Sequence, residues 1–432
     1  MSARDSFVLH TVEERGVRFV RLWFVDVLGV LKGLSVPVSE LEKVLSLGVG
    51  IDGSSLEGGV HRREHDVVAT PDLTSFALLP WRGGETARMF CNFSRPDGAA
   101  FAADSRAALS RVLGTAADLG WTAQVGAELE FFLFAEDSPD TDPRPLDNGA
   151  YFDLTPLDEG SQFRGRTIGY LEKLGIPVKA SHHEVAPSQH EIQLEHTDAL
   201  SMADAITTFR LTVKEVASEL GVFASFMPKP LEHHAGSGMH LHLSLFEEDR
   251  NAFWDADPEQ PLSPLGRMFL AGLLAHAPEL TMLTNQWVNS YKRLTSGFEA
   301  PSRIVWTREG DDGLIRVPSA RPQREGAARI ELRSPDPAAN PYLALALTLA
   351  AGLRGIERGY ELSAPDATSA EGGPGLPRDL REATDLFARS ELARDTLGDS
   401  LVETLIENKR TEWEAFMSTV SSWELERFLR VL

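Results

Sequence analysis

Four separated segments place acids and imidazoles at spacings that put them on common faces. In "AELEFF", Glu128 and Glu130 are two apart, so on a strand both side chains leave the same side. Two carboxylates that close repel unless a cation lies between them. On a solvated strand the pair would mean little, but the flanking "FFLF" marks a buried strand where water is scarce. In "SHHEVAPSQHEIQLEH", Glu184 and Glu191 bracket a proline-containing turn, and a hairpin-like return brings both to one site; His182, His183 and His190 read equally well as structural or solvent-facing. In "EHHAGSGMHLHLS", alternation puts His240, His242 and Ser244 on one strand face, just after Gly236 and Gly238, which allow close backbone approach to a ligand. In "AARIELRS", Arg329, Glu331 and Arg333 share a face, as an ion-pair row or as a clamp for carboxylates and phosphates. "NSYKRLTSGFEAPSR" adds Arg293 and Glu299 around a Gly-containing loop, a natural place for a movable flap.

The set is rich in glutamate, poorer in histidine and free of any cysteine cluster. Hard oxygen donors with little nitrogen point to Mg²⁺ or Mn²⁺ rather than a thiolate zinc site. Two such metals beside arginines suit phosphoryl transfer from ATP. No G-x-x-x-x-G-K-[ST] loop is present, so the phosphates must be held another way.

These residues need elements to carry them. At 432 residues the chain exceeds the usual size of one core, and two domains are expected. The first hundred residues read as short strands ("VRFVRLWFVDVLGVLKGLSV", "TSFALLPW", "ARMFCNF"), and "RPDGAAFAADS" marks a boundary near Asp97, giving units 1–97 and 98–432. Beyond it, "SRAALSRVLGTAADLG" reads as a helix capped by Asp104 and stopped at Gly120. "AQVGAELEFFLF", "SGMHLHLSLF" and "AARIELRS" have the period of strands, while "LSMADAITTFRLTVKEVASELG", "ANPYLALALTLAAGLRGIERG" and the end of the chain read as helices. "SAPDATSAEGGPGLPRD" reads as a surface loop. The net charge of −22 argues against a nucleic-acid or anionic-membrane binder. There is no apolar run of membrane-spanning length and no signal peptide is expected; Cys91 as sole cysteine excludes an intrachain disulfide, so the expected location is the cytoplasm.

The ordered stretches "DGSSLEGG", "AELEFFLF", "HHEVAPSQHE", "GSGMHLHLS", "NSYKRLTSGFEAPS", "IRVP" and "RIELRSPDPAANPYL" resemble the bacterial type I glutamine synthetase family from about Phe19 to the end of the chain. The likeness is closest to actinobacterial paralogues, some of which glutamylate amines other than ammonia. The resemblance implies an α+β protein with a small N-terminal β-grasp domain and a larger catalytic domain built on a mostly antiparallel sheet. It also implies a homo-oligomer, a dodecamer of two hexameric rings with active sites shared between neighbours. Carried over by motif, Glu130, Glu184 and Glu191 hold one metal and Glu128, His240 and Glu331 the second. Arg293 and Arg333 grip carboxylate and phosphate, beside Gly236. His242, Ser244, Arg316 and Arg329 lie toward the ATP. Glu299 closes the flap, and Asp52 from the adjacent subunit meets the amine with Ser55, Tyr151 and Glu184. The implied reaction activates the γ-carboxyl of glutamate as an acyl phosphate and joins it to ammonia.

Departures from the family pattern keep other acceptors open. Ala235 stands where the family has an asparagine that helps hold the amino acid, and Gly59 where relatives often have a bulky aromatic. Asp311, in "WTREGDDGLIRVP", takes the place of a phosphate-touching arginine. An anion there should lower turnover with ATP unless Arg308 or Arg316 compensates, and Asp311→Arg should restore it. The tyrosine-bearing loop that some relatives adenylylate is replaced by "SAPDATSAEGGPGLPRD", which has no tyrosine, so no adenylylation is expected there; AMP found on that loop by mass spectrometry would overturn this. The alternatives are γ-glutamylation of another small amine or polyamine, such as ethanolamine, and a non-catalytic ring-forming homologue.

Overall fold

The computed structural model describes residues 3–58, 64–136, 142–257, 260, 262–295, 300–310, 313–319, 325–364 and 374–432. Gly59, Glu299, Asp311 and most of the 363–379 loop lie outside the described residues.

The N-terminal part forms a six-stranded sheet in the order Leu31–Pro37, Phe19–Val25, Thr86–Ser94, Asp66–Pro71, Val49–Asp52, with Ala77–Leu78 added beside Thr86–Ser94. Val20 and Leu22 alternate inward on Phe19–Val25, and Ala87, Met89 and Cys91 do so on its parallel neighbour. Helix Val38–Leu47 lays Leu41 and Val44 on this sheet. This helix, helix Ala3–Glu14 and strands Val49–Asp52 and Asp66–Pro71 are not apparent from the strand-only reading. "TSFALLPW" yields only two strand residues, because Asp72 accepts from Thr74 N and its backbone carbonyl from Ser75, turning the chain before it extends.

The larger part is built on a nine-stranded sheet, ordered Arg303–Thr307, Gly313–Arg316, Ile330–Leu332, Met239–Glu247, Thr122–Ala135, Gln189–Asp198, Val178–His183, with Val222–Ser225 and Arg250–Asn251 at the sides. Every neighbouring pair is antiparallel except Arg303–Thr307 with Gly313–Arg316. Met239, Leu241, Leu243 and Leu245 point to the apolar side and are buried, as are Leu129, Ile192 and Leu332. Helices Ser105–Asp118 and Ala199–Leu220 pack against that side, the first capped by Asp104 as expected and followed by Gly120 at φ 85°. Helices Pro264–Thr284 and Pro341–Glu357 cross at glycines: a Cβ on Gly272 would sit 2.3 Å from Ala351 O, so the close approach requires hydrogen there. The C-terminal segment is helical over Asp399–Ser418 and Ser422–Phe428.

The two parts are welded through buried polar groups. Arg106 Nε and Nη2 donate to the two carboxylate oxygens of Asp204, each at 3.0 Å. The same guanidinium reaches Asp72 Oδ2 at 2.7 Å and Asn92 Oδ1 at 2.8 Å. Tyr342 donates its hydroxyl to Asp204 at 2.6 Å, and Asn340 Nδ2 reaches the carbonyls of Asp26 and Val27. This joint fixes the smaller sheet against the helices that back the larger one.

Candidate active site

The polar face of the large sheet is set by cross-strand register. His240 pairs with Glu128, Glu130 with Glu191, His182 with Glu191, and both His242 and Arg316 with Glu331. Paired residues share a face, so acids and imidazoles from five strands converge, joined by Arg316 from a sixth. All of these acids and imidazoles except His242 line a cavity of about 700 Å³ with Tyr151, Phe152, Gly236, Arg293, Arg316 and Arg333. Glu184 and Glu191 are brought together by the hairpin expected from the sequence, closed by Glu184 N donating to Gln189 O at 2.7 Å.

Two groups within the cavity have metal-ligand spacing. One ligand atom each from Glu128, His240 and Glu331 lies within 4.8 Å of the others, and the same holds for His182, Glu184 and Glu191. His240 Nδ1 is 3.4 Å from Glu128 Oε2 and 3.7 Å from Glu331 Oε1. His182 Nε2 is 2.8 Å from Glu184 Oε1 and 3.8 Å from Glu191 Oε1. Glu130 lines the same cavity, but its Oε2 accepts from Gln189 Nε2 and from Gly238 N, both at 2.9 Å.

The electrostatics are those of crowded carboxylates. Burial, then Glu184, pushes Glu130 up to about 7. Burial and the charges of Glu128, Glu130 and Glu184 raise Glu191 well above the usual carboxylate range. Burial would also raise Glu128, but His240 and His242 outweigh it and hold this carboxyl well below its ordinary value. A divalent cation among these groups would remove the repulsion that burial amplifies. The donors are carboxylate oxygen and imidazole nitrogen without thiolate, a set that fits a hard divalent ion.

Other candidates fall at the edges of this centre. His242 Nε2 lies 2.9 Å from Glu128 Oε1, though not aligned as a hydrogen bond, and its Nδ1 accepts from Arg329 Nε at 3.1 Å. Ser244 follows two residues further along the same face, opposite Gln124. Arg316 reaches Glu331 Oε2 at 3.4 Å and Arg333 Nε lies 3.3 Å from Glu331 Oε1. Arg293 is buried, and its guanidinium donates to the carbonyls of Ser334, Pro335 and Arg333 while bordering the cavity. Asp52 and Ser55 are not in the cavity wall. They sit on the outermost strand of the small sheet and in the turn after it, where Asp52 accepts from Ser54 N, Ser54 Oγ and His65 N.

Sequence reasoning missed Gln189 and Gln193. Gln189 Nε2 ties Glu130 to the Gly236 carbonyl, and Gln193 Nε2 donates to Glu191 Oε1 at 2.8 Å. The signal was available: both lie two residues from Glu191, on its strand face.

A small sheet domain set on a larger antiparallel one, with acids, imidazoles and guanidinium groups around one cavity, is the build of an ATP-dependent ligase. Residues 16–96 match the family model described as glutamine synthetase, beta-Grasp domain, and residues 102–428 that described as glutamine synthetase, catalytic domain. The chain belongs to the glutamine synthetase family, whose members use ATP and divalent metals and act as oligomers on small molecules. It is 48% identical to the glutamine synthetase of Mycolicibacterium smegmatis over 445 residues, covering 99% of this chain and 100% of that one. It is 44% identical to that of Halobacterium salinarum, covering 99% and 97%. Among solved structures it is similar to GmaS without ligand, with a TM-score of 0.88 and 32% identity over 98% of this chain and 99% of that one. The Plasmodium falciparum glutamine synthetase, at 23% identity and a TM-score of 0.89 over 99% of each chain, shares the fold. Among the described residues no helix is long and apolar enough to cross a membrane.

Proposed function

We propose that this chain joins the γ-carboxyl of glutamate to an amine, with ammonia as the default acceptor and ATP as phosphoryl donor. The observation that carries the reading is the gathering of Glu128, Glu130, Glu184, Glu191, His240 and Glu331 on one cavity with Arg293, Arg316 and Arg333. Mg²⁺ or Mn²⁺ held by Glu128, His240 and Glu331, and by Glu130, Glu184 and Glu191 with His182 beside them, would offset charge on the phosphate oxygens. Arg316 and Arg333 supply fixed positive charge at the same wall, and Arg293 braces the turn beside Gly236 that would meet the glutamate backbone. His242, Ser244 and Arg329 continue the polar face toward the nucleotide. The γ-carboxylate oxygen attacks the terminal phosphorus of ATP, giving an acyl phosphate and ADP. The amine then attacks the acyl carbon, phosphate leaves, and a carboxylate takes the surplus proton. Asp52 is the base, with Ser55, Tyr151 and Glu184 around the amine. Glu299 closes the flap and keeps water from the acyl phosphate.

Asp52 and Ser55 lie outside the cavity wall of their own chain, which supports a site completed by a neighbouring copy. The proposed assembly is a cytoplasmic dodecamer of two hexameric rings, each protomer consisting of units 1–97 and 98–432. Asp52→Ala and Glu128→Ala should each be inactive alone. Co-assembled in equal amounts, they should recover about a quarter of wild-type turnover if pairing is random, because one site in four then combines two intact partners. No recovery in mixed particles verified by native mass spectrometry would exclude sharing.

A second reading, with a small alkylamine or polyamine as acceptor, is favoured by Ala235 and by Tyr151 and Phe152, both more than half exposed at the cavity. The similar solved structure, GmaS, is a γ-glutamylmethylamide synthetase. Phosphate release from ATP and glutamate with ammonia, methylamine, ethanolamine and polyamines, with products identified by mass, decides between the readings. Glutamate-dependent turnover with none of them would overturn both.

A further inference from the structure

A buried polar cluster lies behind the cavity and outside the metal-spaced groups within it. Asp147, His183 and His190 bring one ligand atom each within 4.8 Å, a spacing that a metal would accept. The neighbours argue otherwise. His183 Nδ1 lies 2.6 Å from Glu184 O, and Arg164 Nη1 lies 2.9 Å from His190 Nδ1, placing a guanidinium against the second ring. Arg164 is itself paired with the buried Asp158.

The geometry is that of a tether between two segments. Asp147 Oδ1 accepts from Ser188 N at 2.9 Å and Gly149 N at 3.3 Å, and lies 3.0 Å from His183 Nε2. Its Oδ2 accepts from Glu159 N at 3.1 Å, and its own N–H donates to Ser188 Oγ at 2.8 Å. One carboxylate therefore holds both ends of the 147–159 segment and the tip of the hairpin that carries Glu184 and Glu191. Ser188 adopts φ 54°, a left-handed conformation uncommon for serine, at the point where its N–H and hydroxyl both meet Asp147. Gly149 and Gly160 lie flat on the two rings: a Cβ would come within 2.6 Å of His183 Nε2 and 2.3 Å of His190 Cε1. Between these anchors, Phe152 N donates to His183 O, and the rings of Tyr151 and Phe152 stand 5.4 and 4.6 Å from His182 at the cavity.

We propose that Asp147, with Ser188 and His183, is a positioning latch that sets the Tyr151–Phe152 wall against Glu184 and thereby the fit of the acceptor amine. The role in acceptor fit rests on the ligase reading above, which assigns that wall to the acceptor. Asp147→Asn removes one acceptor and the charge while keeping the shape. Ser188→Gly keeps the left-handed backbone while removing the hydroxyl to which Asp147 N–H donates. Both should raise the acceptor KM by about 10-fold, leave the ATP KM unchanged, and change kcat far less. Amide hydrogen exchange at Gly149 and Glu159 should accelerate in Asp147→Asn. The proposal is overturned if the KM values for ATP, glutamate and amine rise together, or if neither variant changes the acceptor KM. If the wild-type chain turns over no amine, the ligase reading fails separately; unchanged exchange at Gly149 and Glu159 in Asp147→Asn would then overturn the latch as well.

Discussion

Glu191→Gln is expected to make the metal-free protein more stable and the enzyme nearly inactive. Glu191 is 4% exposed and raised in pKa by burial and by Glu128, Glu130 and Glu184. A neutral amide relieves that repulsion while its carbonyl still accepts from Gln193 Nε2. The gain in chelator should be about 1–2 kcal/mol, the size common for relieving a functional site. A native-state ligand at 100 times its Kd adds about 2.7 kcal/mol, so Mn²⁺ should raise the wild-type Tm clearly. The variant should lose most of that shift and lose turnover by on the order of 10²–10³-fold, as when a charge-stabilising group is removed. Thermal melts with EDTA and with Mn²⁺, beside phosphate-release assays, read both effects. An undiminished Mn²⁺ shift in the variant would remove Glu191 from the metal site.

The features legible in the sequence are those that depend on short spacing. Glu128 with Glu130, and His240 with His242 and Ser244, share faces because strands alternate, and the structure keeps each set together. The Glu184–Glu191 hairpin is equally local. The pairing partners were not legible: that His240 faces Glu128 while His182 faces Glu191 is decided by the register of strands over a hundred residues apart in the one case and by the way the 184–189 turn closes in the other. Histidines 183 and 190 could be read as solvent-facing, yet both are buried, because Asp147 and Arg164 arrive from a loop and a helix whose positions no local pattern encodes. The small sheet hid its helices and two strands because its apolar positions are spread thinly over short elements. Asp52 shows a different limit. Its type suits an amine site, but within one chain it serves as a cap on Ser54 N, and its reach into a cavity is a question of assembly.

Arg106→Met is expected to produce the largest loss of stability. Arg106 is 5% exposed and makes four directional contacts: two to Asp204, one to Asp72 and one to Asn92. Burial disfavours its charge, but Asp204, Tyr342 and Asp72 outweigh this and raise its pKa. Truncation leaves two carboxylates near the joint without their cation, and breaking such a buried pair typically costs about 3–5 kcal/mol. Arg106→Lys keeps the charge without the planar fork, so it should recover only part of the loss. The pH dependence carries a definite sign. Burial acts to raise the Asp72 carboxyl, but the Thr74 hydroxyl and Arg106 together hold it below its usual value. A depressed folded pKa contributes stability above the unfolded value of about 3.9 and loses it as pH falls through the folded one. Without Arg106 that contribution shrinks, so the variant should be weakened most near neutral pH and least in acid, where Asp72 is protonated in both proteins. Urea titrations of wild type, Arg106→Met and Arg106→Lys at pH 7 and at about pH 2, below the depressed Asp72 value, measure this. A loss in Arg106→Met that is the same at both values would mean that packing, rather than the Asp72 and Asp204 pairs, holds the two parts together.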